Sequence, residues 1–283
     1  MTETSSMRRL FDNHSHSYFS EDSRMDIDDA VKTAFEKGLR GICLTDHLDF
    51  DAPEGVTEFT FEVPAQQKAI DGTVEYLGLN GGGGPYGDFQ LLKGVEMGLQ
   101  DKSIPKILKV LSDNRFDCVI ASLHLIDGHD PYFGEYYKPY TYRQAYGHYL
   151  EEFSRLIRVM PDFDILGHYD YIARYPDYKE TTIYYSEFGD ALDSILSFLA
   201  ENGKTMEINT KTYQLFRGRR PELDLDVLRR FRELGGEALS FGSDAHDITR
   251  LGDRFGWCRE MALAAGFRYE IYFKDRKPEY IPL

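Results

Sequence analysis

The sequence predicts an α/β barrel of about seven strands within a single domain. Three observations carry that expectation. Seven short apolar runs alternate with stretches whose apolar residues recur at helical spacing, the pattern of βαβ units. The 283 residues contain no linker and no repeat of 20–50 residues, and one α/β barrel commonly spans about 200–300 residues. Nearly every run ends in a histidine or an acid, and a parallel barrel gathers its strand C-termini at one face. An open doubly wound sheet is the alternative arrangement of the same units.

The elements follow in order. The run RRLFDNH (8–14) ends in His14, with His16 two residues further on. Asp26 or Asp28 then caps a helix in which Ile27, Ala30, Val31, Ala34 and Phe35 form one stripe, stopped near Gly38. GICLTDH (41–47) delivers Asp46 and His47. NGGGGP (80–85) reads as a helix end and flexible loop before FQLLKGVE (89–96), which ends in Glu96. FDCVIASLH (116–124) ends in His124. A stripe of Tyr149, Leu150, Phe153, Leu156 and Ile157 leads to FDILGHYD (163–170), with His168 and Asp170 at its end. The stripe Phe188, Leu192, Ile195, Leu196, Leu199 stops at Asn202–Gly203, before KTMEIN (204–209) with Glu207 and Asn209. Val227, Leu228, Phe231 and Leu234 stop at Gly235–Gly236, before EALSFGSDAH (237–246) with Asp244 and His246. Residues 1–7 are expected to be flexible.

Composition narrows the function classes. A net charge of −15 argues against a general nucleic-acid or membrane-surface binder while leaving room for a local cationic site. Cys43, Cys118 and Cys258 are far apart and form no CxxC, which suits core thiols in a reducing, cytoplasmic compartment. The N-terminal MTETSSMRRL has no apolar secretory core, and no run approaches membrane-spanning length.

Taken one at a time, the polar residues are ordinary. A lone HxH is a weak signal, a buried histidine is more often a hydrogen-bonded core residue, and loop aspartates cap helices. Their joint placement is different: six of the eight histidines lie at predicted strand C-termini, and only His129 and His148 do not. Histidine nitrogens with carboxylates, and no cysteine among them, suit Zn, Fe or Mn. Alternate strand residues point to one side, so His14 and His16 can share an ion, and Asp244 and His246 can face one pocket.

In their order, DNHSH, TDH, GVE, SLH, GHYD and GSDAH resemble the polymerase and histidinol phosphatase (PHP) family, over about residues 10–250. That resemblance implies a distorted (β/α)7 TIM-like barrel and three divalent metal ions. Carried over by position, it implies a first ion held by His14, His16, Glu96 and Asp244. Glu96 is shared with a second ion, held with His124 and His168, and a third takes Asp22, His47 and His246. Asp22 departs from the histidine many relatives carry there, and Asp46 would orient a ligand or the entry loop. TDHLDFD, SLHLIDG, GHYDYI, MEINT and the C-terminal GFRYEIYFKDRKPEYIPL make the chain most like histidinol-phosphate phosphatases. The basic loop KTYQLFRGRRPELD departs from relatives, which often have a short glycine turn there.

The implied reaction is hydrolysis of L-histidinol phosphate in histidine biosynthesis. Phosphomonoester hydrolysis is mainly a matter of charge and position. Divalent ions supply hydroxide near neutral pH and neutralise phosphoryl oxygens, and three of them outweigh three carboxylates, which reconciles an acidic chain with a dianionic substrate. Arg174 is the first candidate to grip the phosphate and Arg217 the second. The tyrosine-rich loop DPYFGEYYKPYTY (130–142) is expected to close over the alcohol part, with Asp130 or Glu135 facing its amine. A PHP phosphoesterase for another small phosphate ester or nucleotide, a C–N hydrolase and a metal-stabilised binding protein are the competing readings.

Overall fold

A computed structural model describes residues 10–283; the expected flexibility of 1–7 lies outside the described residues. Strands β1 (Phe11–Ser15), β2 (Gly41–Leu44), β3 (His47–Leu48), β4 (Gln90–Gly98), β5 (Cys118–Ser122), β6 (Ile165–Leu166), β7 (Thr205–Asn209) and β8 (Ser240–Gly242) form one parallel sheet in the order β1-β2-β4-β5-β6-β7-β8. The short β3 pairs beside β4, with His47 opposite Glu96. The sheet returns on itself: Ser15 bridges Ala245 in parallel, and the Asp244 N–H donates to His14 O at 2.8 Å. This is the barrel rather than the open sheet, and each of the seven predicted runs contains a strand.

Seven helices surround it among the described residues: α1 (Ile27–Glu36), α2 (Val63–Leu77), α3 (Ile104–Asp113), α4 (Tyr142–Val159), α5 (Tyr185–Glu201), α6 (Leu225–Glu233) and α7 (Phe255–Ala264). The four predicted stripes are α1, α4, α5 and α6. Asp26 caps α1 by accepting from Asp29 N, and Thr141 with Gln144 makes a capping box on α4. Helices α2 and α3 carry Pro64 and Pro105 in their first turns, where proline is tolerated.

The C-terminal segment is a hairpin, β9 (Tyr269–Lys274) and β10 (Lys277–Pro282), that closes the end of the barrel opposite the strand C-termini. Ile271, Tyr272, Phe273 and Ile281 pack with Phe11, Cys43, Cys118 and Ile120, and Tyr272 stacks on Phe11 at 4.4 Å between ring centroids. Glu270 enters this apolar floor and accepts from the Phe11 N–H at 3.1 Å. Burial raises its carboxyl well above the ordinary 4.5; the Phe11 N–H opposes the shift and the charge of Asp12 adds to it. The native state therefore holds a proton that the unfolded chain releases, and this contribution to stability falls as pH rises above the unfolded value. Glu270→Gln is uncharged at every pH. Its melting temperature is expected to gain on the wild type as pH rises above the ordinary carboxyl value of 4.5; a difference independent of pH would refute the assignment.

Candidate metal centre

The strand C-termini deliver their polar residues to one buried cluster. β1 is irregular between Asp12 and Ser15, and His16 lies just past its last residue, yet His14, His16 and Glu96 offer ligand atoms to one point. Glu96 sits at the centre. Its Oε2 is 3.1 Å from His14 Nε2, 3.5 Å from His16 Nε2 and 3.0 Å from His47 Nδ1. Its Oε1 is 2.9 Å from His168 Nε2 and 3.1 Å from His124 Nε2. Asp244 Oδ1 is 3.3 Å from His16 Nε2 and 4.0 Å from His14 Nε2. Asp22 Oδ2 is 2.9 Å from His246 Nε2, and its Oδ1 is 4.0 Å from His47 Nε2. All nine residues named from the sequence are thus brought together.

This arrangement fits metal ions. His14 Nε2, His16 Nε2, His47 Nδ1, His246 Nε2 and Glu96 Oε2 are buried and, although close to one another or to Asp22 and Asp244, none is aligned for a hydrogen bond among the described residues, an expensive condition for groups that serve only to hold the fold. Their separations bracket about 3.3 Å, the edge of a tetrahedron of bonds about 2.0–2.1 Å long. Four overlapping sets can each hold an ion: His14–His16–Glu96, His14–His168–Asp244, His47–Glu96–His124 and His16–His47–His246. Burial works against the charge on Glu96, but the imidazoles of His14, His124 and His47 outweigh it and hold the carboxyl well below the usual range.

A second set of residues aims the first. Glu207 accepts from His14 Nδ1 at 3.0 Å and from His168 N at 2.8 Å. Asp49 accepts from His124 Nδ1 at 2.8 Å and lies 3.3 Å from His47 Nδ1. Asp46 accepts from Ser17 N, Ser17 Oγ and Ser20 Oγ, and Ser20 Oγ lies 3.1 Å from His16 Nδ1. Asp46 thus reaches His16 through Ser20 and also holds the entry loop at Ser17. Two glycines leave room for these carboxylates: a methyl group on Gly98 would overlap Asp49 Oδ1, and one on Gly242 would overlap Glu207 and His14. Glu207→Gln, which keeps the size but misdirects His14 Nδ1, is expected to weaken metal affinity about 10- to 100-fold, read by competition with a chelating dye. An unaltered affinity would remove Glu207 from this role.

The cationic residues divide. Arg174 is buried, donating from Nε to Thr212 Oγ1 at 2.8 Å and from Nη1 to Asp244 Oδ2 at 3.2 Å. Its Nη2 has no partner among the described residues, and Arg174 lines the cavity over the cluster. Arg217 is not brought to this site: it is exposed, sits at φ 47° in a turn and lies over the Phe216 ring. Another residue of the same basic loop, Lys211, reaches in instead, with Nζ 3.1 Å from Asp244 Oδ1 and 3.2 Å from His246 Nδ1. Glu207, Asn209 and Lys211 alternate in sequence, as do His47 and Asp49. That spacing was the available signal for Lys211 and Asp49.

The cavity is about 410 Å³ and is walled by Val56, Phe59, Tyr132, Phe133, Tyr171 and Tyr175 among others. The tyrosine-rich loop is split. Asp130, Tyr132 and Phe133 line the cavity, whereas Tyr136 and Tyr137 are core residues that donate to Ala145 O and Ile172 O. Glu135 is exposed and paired with Lys138 at 2.6 Å, away from the cavity.

Residues 12–211 match the model of the PHP domain. A probable histidinol-phosphatase of Clostridium acetobutylicum is 31% identical over 272 residues, covering 96% of this chain and 99% of that protein. The histidinol-phosphatase of Lactococcus lactis is 30% identical over 273 residues, 96% of each chain. The crystal structure of the L. lactis histidinol phosphate phosphatase, complexed with Zn, L-histidinol and phosphate, matches with a TM-score of 0.85 at 29% identity, over 96% of this chain and 99% of that one. A putative histidinol phosphatase of Listeria monocytogenes shares the fold, with a TM-score of 0.72 at 16% identity over 87% of this chain and 99% of that one.

Proposed function

The chain belongs to the PHP family, and we propose that its reaction is the hydrolysis of L-histidinol phosphate to L-histidinol and phosphate. The carrying observation is the buried cage of histidines and carboxylates beside an arginine whose Nη2 has no partner among the described residues, in a chain similar over nearly its whole length to histidinol-phosphatases. The protein is a metal-dependent phosphoric monoester hydrolase.

His14, His16, Glu96 and Asp244 would hold one divalent ion, Glu96 with His124 and His168 a second, and Asp22, His47 and His246 a third. The nitrogen and oxygen donor set, without sulfur, suits Zn, Fe or Mn. Such ions, when bound, supply Lewis acidity toward phosphoryl oxygens and lower the pKa of water.

The chain's own residues position the ester. Arg174 offers Nη2 to a phosphoryl oxygen while Thr212 and Asp244 hold the rest of its guanidinium, so the donor is aimed before substrate arrives. Thr212 is fixed in turn by Asp170 at 3.0 Å. The Lys211 ammonium supplies a second positive charge at the rim. These cations dock a dianion on a chain of net charge −15. No helix among the described residues is long and apolar enough to cross a membrane. The buried, unpaired thiols of Cys43, Cys118 and Cys258 support a reducing, cytoplasmic setting.

A kinetic panel tests this function. Protein of measured metal content is assayed on histidinol phosphate, other amino-alcohol phosphates, nucleotides and aryl phosphates. The expected result is the highest kcat/KM on histidinol phosphate, abolished by chelation and restored by Zn, Mn or Fe. A higher kcat/KM on a nucleotide or a non-amino ester would replace the substrate while leaving the reaction class in place.

A further inference from the structure

On the reading that the substrate is L-histidinol phosphate, we infer that Asp130 is the specificity-determining residue that pairs with the substrate's ammonium group. Four carboxylates line the cavity: Asp22, Asp49, Asp130 and Asp244. Three are already engaged. Asp22 pairs with His246, Asp49 with His124 and His47, and Asp244 with Arg174, Lys211 and His16. Asp130 pairs with no cation among the described residues. Its Oδ1 accepts from the Tyr132 N–H at 2.8 Å and the Tyr171 hydroxyl at 3.0 Å, which fix the carboxylate in place. Its Oδ2 has no hydrogen-bond partner among the described residues. Burial raises its carboxyl above the ordinary range, opposed by the Tyr132 N–H and the Tyr171 hydroxyl, as expected of an acid still lacking a counter-charge.

The position suits the substrate's connectivity. The Tyr171 ring spans the interval between the phosphate end and Asp130. It lies 5.2 Å from the His168 ring and 5.4 Å from the His124 ring, has the Arg174 guanidinium over its face, and gives its hydroxyl to Asp130. In histidinol phosphate the amine is two carbons from the ester oxygen, so a phosphate held at Arg174 leaves the ammonium close to that hydroxyl. Beyond it stand Tyr132 and Tyr175, nearly perpendicular with ring centroids 5.3 Å apart, an aromatic wall for the imidazole. The sequence offered Asp130 and Glu135 equally for the amine. Only Asp130 lines the cavity.

The test is a cycle of two enzymes and two substrates. Asp130→Asn keeps a side-chain oxygen to cap the turn that begins at Pro131, so loop structure is preserved while the charge is lost. Wild type and variant are assayed on histidinol phosphate and on its deamino analogue, 3-(imidazol-4-yl)propyl phosphate. The expected result is a loss of roughly 10- to 100-fold in kcat/KM on histidinol phosphate, mainly through KM, beyond any loss on the analogue. Equal losses on both substrates would overturn the inference and leave the proposed function standing. If the wild type does not prefer histidinol phosphate, that function fails. The same cycle on O-phosphoethanolamine against ethyl phosphate then decides Asp130: selective loss on the amine upholds its role, and equal loss ends it.

Discussion

Glu96→Gln is expected to lower kcat/KM by about 10²- to 10³-fold and to reduce bound metal below the wild-type amount, because it leaves buried donors without their shared anion. Five imidazoles, those of His14, His16, His47, His124 and His168, stand within 3.5 Å of this one carboxylate. Glutamine keeps the volume. It removes the negative charge and places an N–H₂ donor among ring nitrogens that must face a cation with their lone pairs. Ser122 Oγ, which donates to Oε1 at 2.6 Å, also loses a charged acceptor. Elemental analysis of dialysed protein, alongside kinetics, reads the outcome. Wild-type metal content with wild-type activity would mean that Glu96 is not the shared ligand.

Arg174→Lys is expected to lower kcat/KM by about 10²- to 10³-fold, the cost of losing a pre-aimed donor at developing charge. Lysine keeps the charge but not the fork. The guanidinium spends Nε on Thr212 and Nη1 on Asp244, while Nη2, without a partner among the described residues, is the arm proposed for substrate, and a single ammonium cannot serve the same directions. Inhibition by inorganic phosphate should weaken with it, since the contact proposed for Arg174 is to the phosphoryl group. Loss of metal instead, with phosphate inhibition intact, would assign Arg174 to holding Asp244. Phosphate inhibition and metal content both at wild-type level would exclude either role.

The strands were legible because apolar runs and helical stripes are local patterns. They are visible in GICLTDH or FDCVIASLH without knowledge of any neighbour. The hairpin Tyr269–Pro282 was not read as strands. Its two-residue turn, Asp275–Arg276, has both residues at positive φ, where Asn-Gly is the usual signal. Here distant contacts hold the turn: Asp275 N and Arg276 N donate to Asp117, and the Arg276 guanidinium pairs with Asp162 and Asp164. No reading of the hairpin residues alone contains those partners. Asp244 is similar. It sits at φ 52°, held by its N–H to His14 O across a gap of 230 residues in the chain, which is a property of barrel closure.

The sequence by itself determined that seven apolar runs end mostly in histidines and acids, and the order of their motifs, through the resemblance to the PHP family, pointed to nine candidate metal ligands. Residue chemistry and strand periodicity are both written locally, and a parallel barrel has one face on which such ends can meet. The tertiary structure alone decided the division of labour among them. It turned Glu207 and Asp49 toward the outer nitrogens of histidines, brought Lys211 to Asp244 while leaving Arg217 over Phe216, and faced Asp130 into the cavity while Glu135 took Lys138. A hydrogen bond or ion pair requires atoms within about 3 Å and well aligned. That condition depends on the relative placement of segments far apart in sequence, which pattern and composition do not encode.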